Sequence, residues 1–355
     1  MFLAWNEIQK NKLRFTLIMG VLMLISYLVF FLSGLANGLQ AMNREAIDKW
    51  EATAIVLTEE SDKSLSQSSM VLDDVEAVHA NEIAVIGQIN AIATNGDGKK
   101  NVSIFGIKKD AFIMPTVIEG KPFADDNEVI ANDSLKREGF KLGDELQLSS
   151  SDEVLTIVGF TDHARFTAAP VLYGDLTTFQ RVKFGEAAEI NKDRINGIVV
   201  RGDDGVTVTE QDSLEAIEIE PFIHSMPGYM EQNLTLTLMI YFLFGISSVI
   251  VAIFLYVLTV QKISMFGVMK AQGISNRYLA SSVIAQTFIL TTIGVTVGLV
   301  LTLITNAFLP AGVPIALDLA TMIFYGLVLI VVAIAGAVFS VFTIVRIDPL
   351  KAIGG

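Results

Sequence analysis

Four stretches of this chain run without a single charged side chain for longer than a bilayer requires: 15–38, 233–260, 279–308 and 319–345. A hydrocarbon core about 30 Å thick needs about 20 apolar residues at about 1.5 Å of helical rise each. Each stretch meets that length. Backbone groups in lipid must bond within their own segment, so each is expected to be a helix. Hydrophobic residues make up 52% of the chain, and the mean hydropathy is +0.54, as expected where much of the apolar surface meets lipid. The first stretch carries small residues at Ser33-Gly34-Leu35-Ala36, as a cleaved signal peptide would. Its apolar run nevertheless exceeds the roughly 7–15 residues of a signal core, so a retained helix is expected.

The basic residues outside the central block set the orientation. Lys10, Lys12 and Arg14 precede the first stretch, Lys262, Lys270 and Arg277 separate the second from the third, and Arg346 and Lys351 follow the fourth. All lie on one side if lysine and arginine stay inside. The expected fold is therefore membrane α-helical, with four transmembrane helices and one extracytoplasmic α/β (α+β) domain inserted between helices 1 and 2. In chain order this gives a cytoplasmic amphipathic segment (1–14), helix 1 (15–38), the outer domain (39–232) and helix 2 (233–260). A cytoplasmic coupling segment (261–278), helix 3 (279–308), an outer turn (309–318), helix 4 (319–345) and a cytoplasmic tail (346–355) complete it. Both termini are expected in the cytoplasm of a multi-pass protein of the bacterial plasma membrane.

The formal net charge of −13 comes from the central block: of 38 acidic residues only Glu7, Asp318 and Asp348 lie outside 39–231. No basic face is available for nucleic acid. Within the block, strand-like alternation is clear at 128–131, 145–148 and 153–160, with further strands at 102–107 and 198–201. Asn132 or Asp133 is expected to cap a short helix that Gly139 ends. The serine-rich stretch 59–69 reads as a mobile, solvated loop. Two G-x-x-x-G spacings, Gly34/Gly38 and Gly294/Gly298, would let helix backbones approach closely.

Several chemistries are missing. The nearest match to a phosphate-cradling loop, Gly96-Asp97-Gly98-Lys99-Lys100, lacks the first glycine and the hydroxyl. Cysteine is absent, and His79, His163 and His224 are too scattered for a local metal motif. No G-x-S-x-G elbow occurs. The four apolar stretches hold no acid, whereas helices that carry ions or protons usually do. An enzyme or self-powered pump is disfavoured, and the energy is expected to come from a partner.

Three segments carry a resemblance. Trp5-Asn6-Glu7-Ile8 onward looks like an amphipathic lead-in helix. The stretch from Gln261 to Gly273 is similar to an "R-x-E-I-G-x-x-x-A-x-G" element, with Ser264 and Met265 where an acid is common. Arg346-Ile347-Asp348-Pro349-Leu350-Lys351-Ala352 looks like a closing "R-x-D-P-x-x-A". Together with the layout they resemble the MacB/FtsX-type permeases of ABC transporters over the whole chain. The junction 31–39 and the segment 43–47 look most like the haem-exporter (HrtB/DevC) branch.

That resemblance implies a homodimer bound to two copies of an ABC ATP-binding subunit, with ATP hydrolysed by that subunit and not by this chain. Lys262, Phe266, Gly267, Met269, Lys270, Gly273, Arg346 and Pro349 are the coupling candidates. Ile263, Phe266, Val268 and Met269 can form an apolar knob for a groove on the ATPase; an amphipathic helix lying on anionic lipid is the alternative. No cofactor is assigned to the chain itself, and haem is a candidate substrate. With no cysteine and few histidines, a haem ligand would be oxygen or sulfur, which nominates Tyr173, Met226, Tyr229 and Met230. Interfacial anchoring and gap filling are the ordinary roles of such residues. The expected function is export of haem or another amphipathic molecule by ATP-driven mechanotransmission. An FtsX-like transmission module without transport, or a MacB-like peptide or antibiotic exporter, is the alternative.

Overall fold

The computed structural model describes residues 12–345 except 97, 150, 203–205, 210–212, 262 and 311–312. The lead-in segment 1–11, Lys262 and the tail 346–355 with Arg346 and Pro349 thus lie outside the described residues. The chain divides into two compact units, one of residues 1–38 with 233–355 and one of residues 39–232.

The first unit is helical. Among the described residues, four helices are long and apolar enough to cross a membrane, within Phe15–Asp48, Tyr229–Gln261, Asn276–Phe308 and Leu319–Val338. They belong to α1 (Lys12–Asp48), α4 (Tyr229–Gln261), α6 (Asn276–Phe308) and α7 (Leu319–Val345). Helix α1 does not stop where its apolar run stops but continues to Asp48. Capping residues set the later starts. Ser275 accepts from the Tyr278 N–H to begin α6, and the Asp318 carboxylate accepts from the N–H groups of Ala320 and Thr321 to begin α7.

Small residues set how closely these helices pack. A Cβ on Gly298 would lie 2.8 Å from Ser26 Cβ and 3.0 Å from the Met23 carbonyl oxygen, and one on Gly294 would lie 3.0 Å from Leu22 Cβ. One G-x-x-x-G pair is thus the seam between α6 and α1. The other receives the 314–317 turn: a Cβ on Gly38 would overlap the Pro314 carbonyl, and the Ala316 N–H donates to the Gly34 carbonyl at 3.0 Å. Both close approaches are made within one chain.

The second unit is a mixed sheet that closes on itself. Its main strands are β1 (Ala54–Thr58), β2 (Glu82–Asn95), β3 (Gly98–Ile107), β4 (Glu128–Asn132) and β5 (Glu145–Leu148). They continue with β6 (Ser151–Thr161), β7 (Ala169–Asp175), β8 (Gly197–Arg201) and β9 (Leu214–Glu218). Pairing runs β2–β3–β7–β4–β6–β5 and returns to β2 through Ala93 opposite Leu148. This closed circuit removes most open edges, and Val102, Ile104, Leu146, Leu155, Ile157 and Leu172 share the core it encloses. The first half of β2 pairs instead with β8, and β8–β1–β9 extends the sheet. Parallel pairs, β3 with β7 and β4 with β6, require longer crossovers than hairpins do.

Local signals account for much of this. Asn132 accepts from the Ser134 N–H to start a short 3₁₀ helix, Asp133–Glu138, and Gly139 ends it at φ 97°. Asp175 caps α2 (Leu176–Phe184) in the same way through the Thr177 N–H. A second core gathers Ala46, Ile47 and Trp50 from the end of α1 with Ile55, Phe105, Phe222 and Ile223, the last two from α3 (Ile219–Ser225). Stretch 59–69 differs from expectation. It begins with a 3₁₀ turn at Glu59–Ser61, buries Leu65 to 2% exposure, and holds Ser68 by a bond from the Thr58 N–H to its hydroxyl.

Candidate functional site

Helix α5 (Ile263–Ala271) lies between α4 and α6 and carries four of the coupling candidates, Phe266, Gly267, Met269 and Lys270. Its apolar residues divide by direction. Phe266 is 5% exposed and belongs to the core formed by Phe15, Leu255, Leu258, Leu279 and Val283; Met269 packs against that core. Gly267 is also buried, whereas Met265 and Val268 remain 41% and 43% exposed. The inward and outward faces therefore separate residues that the sequence groups into one knob. Met265, absent from the coupling candidates, stands beside Val268 on the open side. A helix this short and apolar on every side gives no periodic signal that could have told the two faces apart.

Gly273 ends α5 in the left-handed region at φ 86°, where its N–H donates to the Lys270 carbonyl and the Ile274 N–H donates to that of Met269. A residue with a Cβ is strained there, so the sharp turn into α6 depends on glycine. Desolvation holds the Lys270 ammonium below the ordinary lysine value.

The substrate candidates fall in the second unit. Tyr173 is 1% exposed and meets Phe105 edge-on at 5.6 Å; burial pushes its phenol well above the ordinary value, which disfavours a phenolate ligand. Met226 and Tyr229, 6% and 4% exposed, share its apolar cluster. Tyr229 stacks on His224 at 5.9 Å and bonds Arg44, whose guanidinium also grips Asp48 and Glu220. That bond holds the Glu220 carboxyl below its usual value. Of the four candidates Met230 is the exposed one, at 46%, while Met226 lines a cleft of about 370 Å³. Three candidates are thus gathered in one core and the fourth stands at the start of α4. Among the described residues, no three histidine or acidic side chains converge as metal ligands.

Comparison with known proteins adds the following. The MacB-like periplasmic core domain family matches residues 15–215, and the FtsX-like permease C-terminal family matches residues 237–349. A putative hemin transport system permease protein HrtB from Staphylococcus epidermidis is 26% identical over all of this chain and 99% of its own. An uncharacterized ABC transporter permease from Mycobacterium tuberculosis is 22% identical over the same shares of the two chains. The extracellular domain of the noncanonic ABC-type transporter YknZ from Gram-positive bacteria aligns with 45% of this chain and 84% of its own, at 11% identity and a TM-score of 0.31.

Proposed function

Because the chain belongs to the family of ABC transporter permeases that joins a MacB-like core domain to an FtsX-like C-terminal part, we propose that it is the membrane-spanning subunit of an exporter. A separate ATP-binding subunit supplies the energy, and haem or another amphipathic molecule is the cargo. The observation that carries the reading is the layout itself: four helices that each hold a charge-free stretch long enough to span a bilayer, no nucleotide-binding loop in the sequence, and a short apolar helix between α4 and α6 with Met265 and Val268 uncovered. A permease without an engine needs such a surface to receive motion from one.

The basic flanks Lys10–Arg14 and Lys262–Arg277 support a cytoplasmic side for the termini and α5, where ATP is. Two copies of the permease bind two ATPase subunits. Helix α4 supports a two-copy assembly, since only 22% of its most apolar window is buried within one chain against 39% for those of α1 and α6. The staphylococcal relative, a putative hemin transport system permease, favours haem as cargo. The acidic outer domain would oppose return of a dicarboxylate once released, and Met230, exposed beside the membrane, is the sulfur best placed to meet it. A second reading, in which the same motion signals to a protein outside without transport, keeps every element except the cargo.

Hydrolysis by the permease–ATPase complex in lipid nanodiscs separates them. Haem at low micromolar concentration stimulates it if haem is cargo. Indifference to haem, with a response only to an outer protein, overturns export in favour of signalling.

A further inference from the structure

We propose that the hairpin at residues 162–168 is a strained strap on the outer end of α1, and that it lets go when α1 shifts during the transport cycle. The letting go rests on the exporter reading; the strap itself is built wholly within residues 39–232.

Helix α1 is unbroken from Lys12 to Asp48, so a shift of its membrane-spanning part is carried to its outer end. The hairpin grips that end mostly through its own backbone. The Thr167 N–H donates to the Asn43 carbonyl at 3.1 Å, and the Ala168 N–H donates to that of Met42 at 3.0 Å. The Arg165 N–H donates to the Glu45 carboxylate, and His163 Nδ1 lies 3.8 Å from that carboxylate. Lys49, just past the helix, donates to Asp162 at 2.7 Å. Positions 42, 45 and 49 recur at helical spacing, so these contacts run down one side of α1. Arg44 and Asp48 fall on the opposite side, where Arg44 also holds Glu220 at 2.5 Å. Charge-assisted bonds are about twice as strong as neutral ones, so the hairpin, held chiefly by backbone bonds, is the side that yields.

The turn supplies the drive for release. Arg165 opposite Pro170 and Phe166 opposite Ala169 leave two residues, Thr167 and Ala168, to reverse the chain, at φ 48° and 66°. Positive φ at both positions is the type I′ pattern, which Asn-Gly adopts readily because it tolerates the left-handed region. Threonine is branched at Cβ and is a poor occupant of that region. His163, at φ 40°, adds a third such residue to the same segment. Strain of this kind persists only where surrounding structure imposes it, and here the Met42 and Asn43 carbonyls hold the two turn N–H groups in place. A hairpin that served only to end a strand would reach the same geometry unstrained with Asn-Gly. With Thr-Ala, withdrawal of α1 lets the turn relax, and return must restore the strain, so the held and released arrangements are two discrete states that a movement of α1 can exchange.

The test uses the full chain in lipid nanodiscs, alone and with its ATPase. Thr167→Asn combined with Ala168→Gly supplies the unstrained turn and keeps every backbone bond. In the chain alone, hydrogen exchange of the backbone at 163–170 should slow about tenfold, the scale of one relieved left-handed residue. In the complex, ATP hydrolysis should slow as well, because release no longer relieves strain. Lys49→Met removes the bond to Asp162 and keeps the apolar stem; it should quicken exchange over the same residues without lowering the melting temperature of the rest of the domain. Exchange that is unchanged or faster in the Asn-Gly variant overturns the strap. Slower exchange with hydrolysis equal to that of the parent overturns release as a step of the cycle. Failure of the parent itself to stimulate an ATPase would instead count against the exporter reading, and the exchange arm would still decide whether the strap is strained.

Discussion

Helix α5 offers a test in which loss of folding and loss of coupling separate. Phe266, 5% exposed among Phe15, Leu258, Leu279 and Val283, is an internal anchor. Truncating such a side chain to alanine costs about 3–5 kcal/mol, so Phe266→Ala should lower the unfolding temperature of the purified permease. Val268, 43% exposed on the opposite side, is different. A change at an open surface position shifts stability by less than about 0.5 kcal/mol. Full burial of a valine stabilises by about 1.5–3 kcal/mol, so the part still uncovered corresponds to about 1 kcal/mol for a partner to gain. Val268→Asp forfeits that gain and places a carboxylate in the contact, and each 1.4 kcal/mol lost weakens binding about tenfold. The expected pattern is therefore a permease that melts normally yet binds its ATPase at least about tenfold more weakly, with stimulated hydrolysis lost. Fluorescence titration with the labelled ATPase and a melting curve in the same detergent read the two quantities. If Val268→Asp binds and stimulates as the parent does, the outward face of α5 is not the coupling surface. If it melts as early as Phe266→Ala, the division of the helix into two faces is wrong.

Gly38→Val should destabilise the helical unit by about 1–3 kcal/mol, the range for overpacking, because its Cβ would overlap the backbone of Pro314 and not a yielding side chain; Gly20→Ala, with open space around it, is the matched control in the same melting assay. The chain has no cysteine, so single substitutions report topology cleanly: Ser64→Cys should react with a membrane-impermeant maleimide on intact cells, and Gln272→Cys only after lysis. Glu128 gives a pH signature, since Lys121 and the N–H groups of Ala124 and Asp125 hold its carboxyl at about 2, below the ordinary 4.5. A depressed carboxylate contributes stability above 4.5 that is lost as pH falls towards 2; acid unfolding of Glu128→Gln should lack that component, and identical profiles would refute the assignment.

The membrane half was legible because an unbroken apolar run is a property of composition, which a sequence displays directly. Strands such as 145–148 and the Asn132 cap were legible because each depends on near neighbours. Closure of the sheet was not, since it rests on Ala93 meeting Leu148 and on β3 pairing with β7 across more than sixty residues, as with Ser103 opposite Val171. The ordered serine-rich stretch escaped for a similar reason: one leucine, Leu65, and two buried hydroxyls, Ser61 and Ser68, tie down a segment whose average composition is that of a solvated loop. Helix α1 outran its apolar run because Ala46 and Ile47 bury against the inserted domain instead of lipid, a change of solvent that hydropathy alone does not register.

The glycine spacings bring these threads to bear on assembly. In a membrane, helices meet through close backbone approach more than through hydrophobicity, so a G-x-x-x-G pair is a natural dimer face. Here Gly294 and Gly298 are already spent on α1, and Gly34 and Gly38 on the 314–317 turn, all within one chain. In the proposed two-copy assembly the second chain would therefore meet a different surface. Helix α4 offers one, with Leu238, Phe242, Ile246, Val249 and Ile253 uncovered and Gly245 facing open space where a neighbouring helix could approach. Tryptophan at Gly245 should therefore reduce cross-linking between copies while leaving the melting temperature of the monomer nearly unchanged. Substitution at Gly298 should do the reverse, because it strikes the fold before the assembly. Equal effects of both changes on dimer yield and melting would mean that assembly and folding share one interface, and α4 would lose its claim.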